Sequence, residues 1–170
     1  MIWMQIRLPK LRDWQKEALK NMKRFNVLVI HRRAWKTYIA ITKLFLEAIQ
    51  KPNDYWYVAP TYKQAKKIAW KQLKELCLNI PWVKTNEVDL TVTIPNGATI
   101  TLFGADNPDS LRGLDLYGCV LDEYAQQPSS MYWEIIFPMI NANKGWVLWI
   151  WTPKGKNSFY HLYQRSVKND

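Results

Sequence analysis

The stretch FNVLVIHRRAWKT, residues 25–37, decides the fold. Its first half is a largely apolar run, typical of a strand buried in a sheet. Lys36 and Thr37 then open a long apolar segment that predicts a helix over residues 36–50. In a strand-loop-helix unit of this kind, loop amides and the helix N-terminus can surround an anion. The stretch therefore predicts a phosphate-binding loop, with Lys36 reaching nucleotide phosphates and Thr37 holding Mg²⁺.

This loop departs from the usual pattern G-x-x-x-x-G-K-[ST] at both glycines. Ile30 and Trp35 stand where the glycines are expected. The second glycine normally lets the backbone wrap closely around a phosphate, and an indole at residue 35 is expected to crowd the nucleotide. Two interpretations stay open: a nucleotide site with an unusual loop, or a loop that no longer admits a nucleotide.

Further strands and helices alternate along the rest of the chain. This alternation predicts an α/β fold with a mostly parallel sheet flanked by helices. A β-hairpin around Asn96-Gly97 adds an antiparallel element, expected at an edge. The predicted helices are residues 13–24, 36–50 and 62–77, and the predicted strands are residues 25–30, 55–59, 90–94, 100–102, 117–121 and 146–151.

The predicted strand 117–121 leads directly into an acidic pair, Asp122 and Glu123. A carboxylate at the C-terminal end of a parallel strand lies where α/β sheets bind ligands. There Asp122 can hold the Mg²⁺ of a nucleotide through water, and Glu123 can polarise an attacking water as a general base. The alternative is an exposed pair of acids at a strand end.

The composition indicates an intracellular protein, and its charge leaves two interpretations open: a nucleic-acid-binding protein or a basic protein that is merely soluble. The formal net charge is +10, and a cationic surface favours polyanions. No apolar run approaches the roughly 18 residues that a membrane span needs, and the first residues lack a signal sequence. Two lone cysteines and two distant histidines argue against a zinc site or a disulfide framework.

Basic residues are concentrated on one face of the predicted helix 62–77. Its apolar stripe is Ala65, Ile68, Ala69, Leu73 and Leu76, and its outer face carries Lys63, Lys66, Lys67, Lys71 and Lys74. A second basic group comprises Lys154, Lys156, Arg165 and Lys168. Both groups are candidate contacts for DNA phosphates. A solvated helix face is the alternative for any single lysine.

Taken together, these motifs resemble the N-terminal ATPase domain of phage large terminase subunits over nearly the whole chain. HRRAWKT resembles the family's phosphate loop, which commonly lacks the first glycine, and VLDEYA matches its Walker B motif with the added glutamate. YVAPTYKQAK, SLRG and WTPKGKNSFYHLY resemble further segments, the last of them the coupling motif. Trp35 remains a departure from this family pattern.

The resemblance implies a P-loop NTPase fold of the RecA-like (ASCE) type and roles for individual residues. The loop residues expected to surround the phosphates are His31, Arg32, Arg33, Ala34, Trp35, Lys36 and Thr37. Thr152 would couple the γ-phosphate state to DNA movement. Gln15 resembles an adenine-recognition residue, with a surface amide as the alternative. Arg32, within the same subunit, and Arg112, across a subunit boundary, are both candidates for an arginine finger.

The resemblance also implies ATP and Mg²⁺ as cofactors and translocation of double-stranded DNA into the procapsid. The expected partners are the portal protein, the small terminase subunit and further copies in a ring on the portal, in the host cytoplasm and without a membrane. Residues 1–170 are expected to form a single ATPase domain without the family's C-terminal nuclease domain. A helicase-like motor lobe and a nucleotide-incompetent assembly module, favoured by Trp35, are the alternatives.

Overall fold

A seven-stranded sheet forms the centre of the molecule in the computed structural model, which describes residues 10–30, 35–78, 80–152 and 164. The strands are β1 (Phe25–Val29), β2 (Asp54–Ala59), β3 (Lys84–Asn86), β4 (Thr91–Thr93), β5 (Thr99–Gly104), β6 (Gly118–Asp122) and β7 (Trp146–Trp151). Their order across the sheet is β1-β7-β6-β2-β5-β4-β3.

The five strands from β1 to β5 in this order run parallel, and β4 and β3 continue the sheet antiparallel. This confirms the predicted mostly parallel sheet with an antiparallel element at one edge. The outermost strand β3 was not predicted, because its sequence, Lys-Thr-Asn, is polar and all three residues are exposed.

Within the described ranges, four helical segments accompany the strands, besides two short 3₁₀ turns at Pro108–Leu111 and Tyr124–Gln126. The four segments are α1 (Asp13–Asn21), α2 (Lys36–Gln50), α3 (Tyr62–Ala65, Lys66–Trp70 and Lys71–Cys77 in succession) and α4 (Met131–Ile136 followed by Phe137–Ala142). Helix α2 has the predicted bounds, α1 ends three residues earlier than predicted, and α4 was not predicted. None of the helices in the described ranges has the length and apolar character that crossing a membrane requires.

Alternate residues of the strands supply two cores, one on each face of the sheet. Tyr55 and Tyr57 of β2 face α2 and α3, whereas Trp56 and Val58 face α4. This follows from the period of two along a strand. Because both faces are covered, the central strands are apolar at almost every position, as the sequence predicted.

Regular helical spacing predicts the wrong position for one residue of the apolar stripe on α3. Ile68 is 43% exposed, and Trp70 is buried instead at 3%. The reason is the π-helical turn Lys66–Trp70 in the middle of α3. A wider turn rotates the residues within it relative to an α-helical pattern.

Candidate nucleotide site

Three strands end close together at the carboxyl edge of the sheet. Glu123 follows β6, Thr152 follows β7, and Lys36 begins the helix that comes after β1. These residues border a cavity of about 430 Å³, which is within the size range of small-molecule sites. Among the described residues, the lining is Trp35, Lys36, Thr37, Tyr38, Gln72, Glu123 and Thr152.

Lys36, Glu123 and Thr152 form one hydrogen-bonded group in this cavity. The Lys36 ammonium donates to Glu123 Oε1 and to Thr152 Oγ1, the latter at 2.6 Å. The Thr152 hydroxyl in turn donates to Glu123 Oε1 at 2.9 Å. Burial alone would raise the pKa of Glu123, but the hydrogen bond and charge of Lys36 outweigh it and lower the pKa. Glu123 is therefore ionised at neutral pH.

Asp122 lies behind this group and is only 4% exposed. The Tyr57 hydroxyl donates a hydrogen bond to Asp122 Oδ2, and the Thr37 hydroxyl is within hydrogen-bonding reach of Tyr57. Burial raises the pKa of Asp122, although the bond from Tyr57 and the charge of Lys36 act against this rise. Burial and the charge of Asp122 raise the pKa of Tyr57 well above its usual value, so this hydroxyl keeps its proton.

Two carboxylate oxygens at this edge have no hydrogen-bond donor among the described residues. They are Asp122 Oδ1 and Glu123 Oε2, and both are buried. Buried charged oxygens normally have partners, so these two atoms fit a cation or its water. No three His, Cys, Asp or Glu side chains cluster within the described part of the chain. One carboxylate, one hydroxyl and substrate phosphates are a usual Mg²⁺ environment.

Trp35 immediately precedes α2 in a left-handed backbone conformation, with φ of 57° and ψ of 36°. A side chain in this region costs about 1–2 kcal/mol relative to glycine. Residue 35 therefore has a backbone conformation that glycine would adopt without this cost. The indole is 59% exposed and meets Tyr38 edge-on, with 5.9 Å between ring centroids.

Besides Asp122, which lies behind the group, the predicted site residues Gln15 and Arg112 do not line the cavity. Gln15 is 2% exposed, and its Oε1 accepts from the Arg12 amide at 2.9 Å. Its Nε2 has no partner in the described residues. Arg112 is an exposed residue that contacts Asp109 at 3.1 Å and Glu134 at 3.8 Å.

Some of the predicted residues lie outside the described residues. In the phosphate loop they are His31, Arg32, Arg33 and Ala34. The second group of candidate DNA contacts, which comprises Lys154, Lys156, Arg165 and Lys168, also lies outside them.

Three residues at the site were not predicted from the sequence. Tyr57 contacts Asp122. Gln127 donates to the carbonyls of Val58 and Asp122 at 3.0 and 2.7 Å, which joins the ends of β2 and β6. Gln72 lines the cavity, and its Oε1 is buried without a partner in the described part of the chain. These three residues can be recognised as part of the site only because their polar atoms are buried there, and the sequence does not show burial.

The strand order and the lysine, threonine and carboxylates at its carboxyl edge define a RecA-like P-loop NTPase fold. A family model described as "Terminase large subunit, T4likevirus-type, N-terminal" matches residues 29–170. The chain therefore belongs to the large terminase subunit family and corresponds to its N-terminal region.

Curated relatives agree with this assignment. The chain is 32% identical over 157 residues to the large terminase subunit of Thermus phage G20c, and 28% identical over 144 residues to that of Escherichia phage T5. The matches cover 81% and 82% of this chain but 32% and 33% of the relatives. The chain thus spans about a third of the length of the curated relatives it matches.

Solved structures share the fold. The ATPase domain of the Thermus phage P74-26 large terminase is 30% identical, with a TM-score of 0.73, and the match covers 91% of this chain and 69% of that one. The large terminase of another thermophilic bacteriophage is 21% identical, with a TM-score of 0.69 over 92% of this chain and 41% of that one. At that identity the second likeness supports the fold alone.

Proposed function

We propose that this chain is an ATP-hydrolysing motor domain that drives double-stranded DNA into a procapsid. The observation that carries the proposal is the convergence of Lys36, Glu123 and Thr152 on one cavity, with Asp122 directly behind them. An ammonium, a hydroxyl and two carboxylates at the carboxyl edge of a parallel sheet are the groups that phosphoryl transfer requires. The second of the two solved terminases, which shares this fold, has also been solved in complexes with ADP and with ATP-γ-S.

Each group has a distinct role in this proposal. Lys36 binds the β- and γ-phosphates, and Thr37 and Asp122 hold Mg²⁺, which neutralises negative charge on the phosphate oxygens. Glu123 is ionised and accepts a proton from the attacking water. Because Lys36 contacts Glu123 in the structure, phosphates that attract Lys36 would release this carboxylate for its task as a base.

Thr152 is the proposed link between hydrolysis and movement. Its hydroxyl bonds both Lys36 and Glu123, and it directly follows β7, at the start of the proposed coupling segment. When the pairing of Lys36 with Glu123 changes, the Thr152 side chain therefore transmits this change directly to the backbone at the end of β7.

We propose two candidates for the arginine finger and one residue for the adenine contact. Arg112 does not line the cavity and is exposed, which supports a role toward a neighbouring subunit in a ring. Arg32 keeps its proposed role in the same subunit. Gln15 is buried with an unpartnered Nε2 among the described residues, and adenine is the partner that we propose for it.

The proposed DNA surface is the lysine face of α3. Lys63, Lys66 and Lys67 are exposed, whereas Lys71 and Lys74 pair with Glu75 and Glu87. Binding through phosphates would be independent of sequence and sensitive to salt. We further propose the portal protein, the small terminase subunit and other copies of the chain as partners, in the host cytoplasm. Family membership favours this motor over a helicase lobe.

A second candidate function rests on Trp35, which lines the cavity. If the indole excludes nucleotide, the chain would act as an assembly module that keeps the fold without hydrolysis. Calorimetric titration of ATP-γ-S and Mg²⁺ into the chain and into Trp35→Gly separates the two functions. Binding in both supports the motor, and binding only in the glycine variant supports the assembly module.

DNA packaging itself is tested with the complete packaging assembly. We expect DNA to become resistant to added nuclease inside procapsids in the presence of ATP and Mg²⁺, and Glu123→Gln to abolish this protection. Protection that persists in the Glu123→Gln assembly would contradict the proposed motor.

A further inference from the structure

Tyr57 contacts one of the two side chains proposed to hold the metal. It is fully buried in β2. Its hydroxyl donates to Asp122 Oδ2, and the Thr37 hydroxyl lies within reach to donate to the same Tyr57 oxygen. Tyr57 thus ties the Asp122 carboxylate at the end of β6 to the buried strand β2, with Thr37 of the first turn of α2 beside it.

This arrangement leaves specific lone pairs available. The bond from Tyr57 engages Oδ2 of Asp122, whereas Oδ1 is buried without a donor in the described residues. Asp122 is therefore turned so that its Oδ1 remains for a metal or its water.

We propose that Tyr57 is a positioning residue of the Mg²⁺ site, which fixes the Asp122 carboxylate in the orientation that binds the metal. The inference rests on the proposed nucleotide site. Partners that orient metal ligands typically contribute about 10–100-fold to metal affinity. The effect of Tyr57 should accordingly appear in the dependence of nucleotide binding on Mg²⁺.

The same strand offers a matched control. Tyr55 is also fully buried and faces the same side of β2. Its hydroxyl donates to the carbonyls of Glu47 and Lys51, at 3.2 and 3.0 Å, at the far end of α2. Tyr55→Phe and Tyr57→Phe each remove one buried hydroxyl that has hydrogen-bond partners, but only the second removes a contact with the metal site.

The test is calorimetric titration of ATP-γ-S into each variant, once in EDTA and once with saturating Mg²⁺. The ratio of the two dissociation constants measures the contribution of the metal. We expect Tyr57→Phe to reduce this ratio by about 10-fold and to leave the dissociation constant in EDTA within about twofold. Tyr55→Phe should keep the ratio of the unmodified chain.

Each outcome decides between the claims. A ratio for Tyr57→Phe equal to that of Tyr55→Phe would overturn the role of Tyr57 while the nucleotide site stands. A chain that binds no nucleotide, with or without Trp35→Gly, would overturn the site and this inference together. Because loss of packing could also lower affinity, Tyr57→Phe is repeated in an Asp122→Asn background. There it should have no further effect on the ratio, and an undiminished effect would contradict the proposal.

Discussion

The two ends of helix α2 receive chemically different partners from the sheet beneath them. At its C-terminal end, Lys51 and Glu47 offer backbone carbonyls to Tyr55. From the middle of the helix, Lys43 pairs with Glu47 one turn further on. At its N-terminal end, Lys36 pairs with Glu123, a residue from another element. The side chains of Lys36 and Lys43 are both 14% exposed, so burial does not distinguish them.

The difference lies in the charged atoms that remain unpaired. At the N-terminal end, Asp122 Oδ1 and Glu123 Oε2 are buried without donors among the described residues. A buried charge without a partner is unfavourable for folding. Proteins tolerate such unfavourable groups where they bind a ligand. The N-terminal end of α2 is thus organised for binding, and the C-terminal end for stability.

The largest expected effect is that of Glu123→Gln on hydrolysis. We expect ATP turnover to fall by about 10²–10⁴-fold, the usual contribution of a positioned general base, because an amide cannot take the proton of the attacking water. Phosphate release by the assembled motor measures it. Glu47→Gln, at the other end of α2, is the control and should retain normal turnover. A Glu123→Gln motor that hydrolyses ATP at the normal rate would show that the base lies elsewhere.

Lys36→Ala should have the next largest effect, on nucleotide affinity. Loss of charge-assisted bonds to the phosphates is expected to weaken ATP-γ-S binding by roughly 100-fold, or about 2.7 kcal/mol. Calorimetry measures the change. Lys43→Ala removes an equally buried, glutamate-paired lysine from the same helix and should leave affinity unchanged. Equal losses of affinity in the two variants would mean that the N-terminal end of α2 is not specifically organised for nucleotide binding.

Asp122→Asn should stabilise the protein while it weakens Mg²⁺ binding. Burial raises the pKa of Asp122, so the ionised carboxylate is less favourable in the folded protein than in the unfolded chain. The neutral amide still accepts from Tyr57, and we expect the melting temperature at pH 7 to rise by roughly 2–4 °C, equivalent to about 1 kcal/mol. Asp54→Asn, at the amino end of β2, should give no such gain.

The stability difference between Asp122→Asn and the unmodified chain has a defined dependence on pH. The gain is complete above the raised pKa of folded Asp122. It declines as the pH falls through that pKa and disappears below the ordinary value of 3.8, where the carboxyl group is protonated in both states. Thermal melts between neutral and acidic pH follow this difference. A gain that grows toward acidic pH would contradict the assigned pKa shift.

Trp35→Gly should give the smallest effect. Glycine relieves the left-handed strain but makes the unfolded chain more flexible, so we expect a net gain of about 0.5–1 kcal/mol in the free energy of unfolding. Chemical denaturation measures it. Trp35→Ala removes the indole but keeps a side chain at φ of 57°, and it should show no gain. Equal stability of the two variants would place the effect in the indole and not in the backbone.

Much of this organisation could be predicted from the sequence. Because the carboxyl ends of parallel strands share one edge, Lys36, Asp122 and Glu123 were expected together, and the structure places them so. Helix α2 is apolar on most sides, and this apolar run predicted its bounds correctly. The hairpin residues Leu90 and Ile100 alternate with polar ones and are both buried.

Other features depend on geometry that the sequence does not contain. The segment Tyr-Trp-Tyr of β2 places Tyr55 and Tyr57 on one face, but only the pairing of Tyr57 with Val120 of β6 brings its hydroxyl to Asp122. The π-helical turn that exposes Ile68 leaves no spacing signal. The conformation of Trp35 is also contrary to local preference, since tryptophan rarely adopts positive φ.

A crystal structure of this chain with ATP-γ-S and Mn²⁺ tests the proposed site most directly, because the anomalous signal locates the metal independently of the nucleotide. The organisation of the carboxyl edge predicts a manganese peak between the Thr37 hydroxyl and Asp122 Oδ1. The terminal phosphate should lie beside Lys36, and Glu123 should no longer pair with this lysine. Nucleotide and metal bound away from this edge, with the pair of Lys36 and Glu123 intact, would contradict the proposed site.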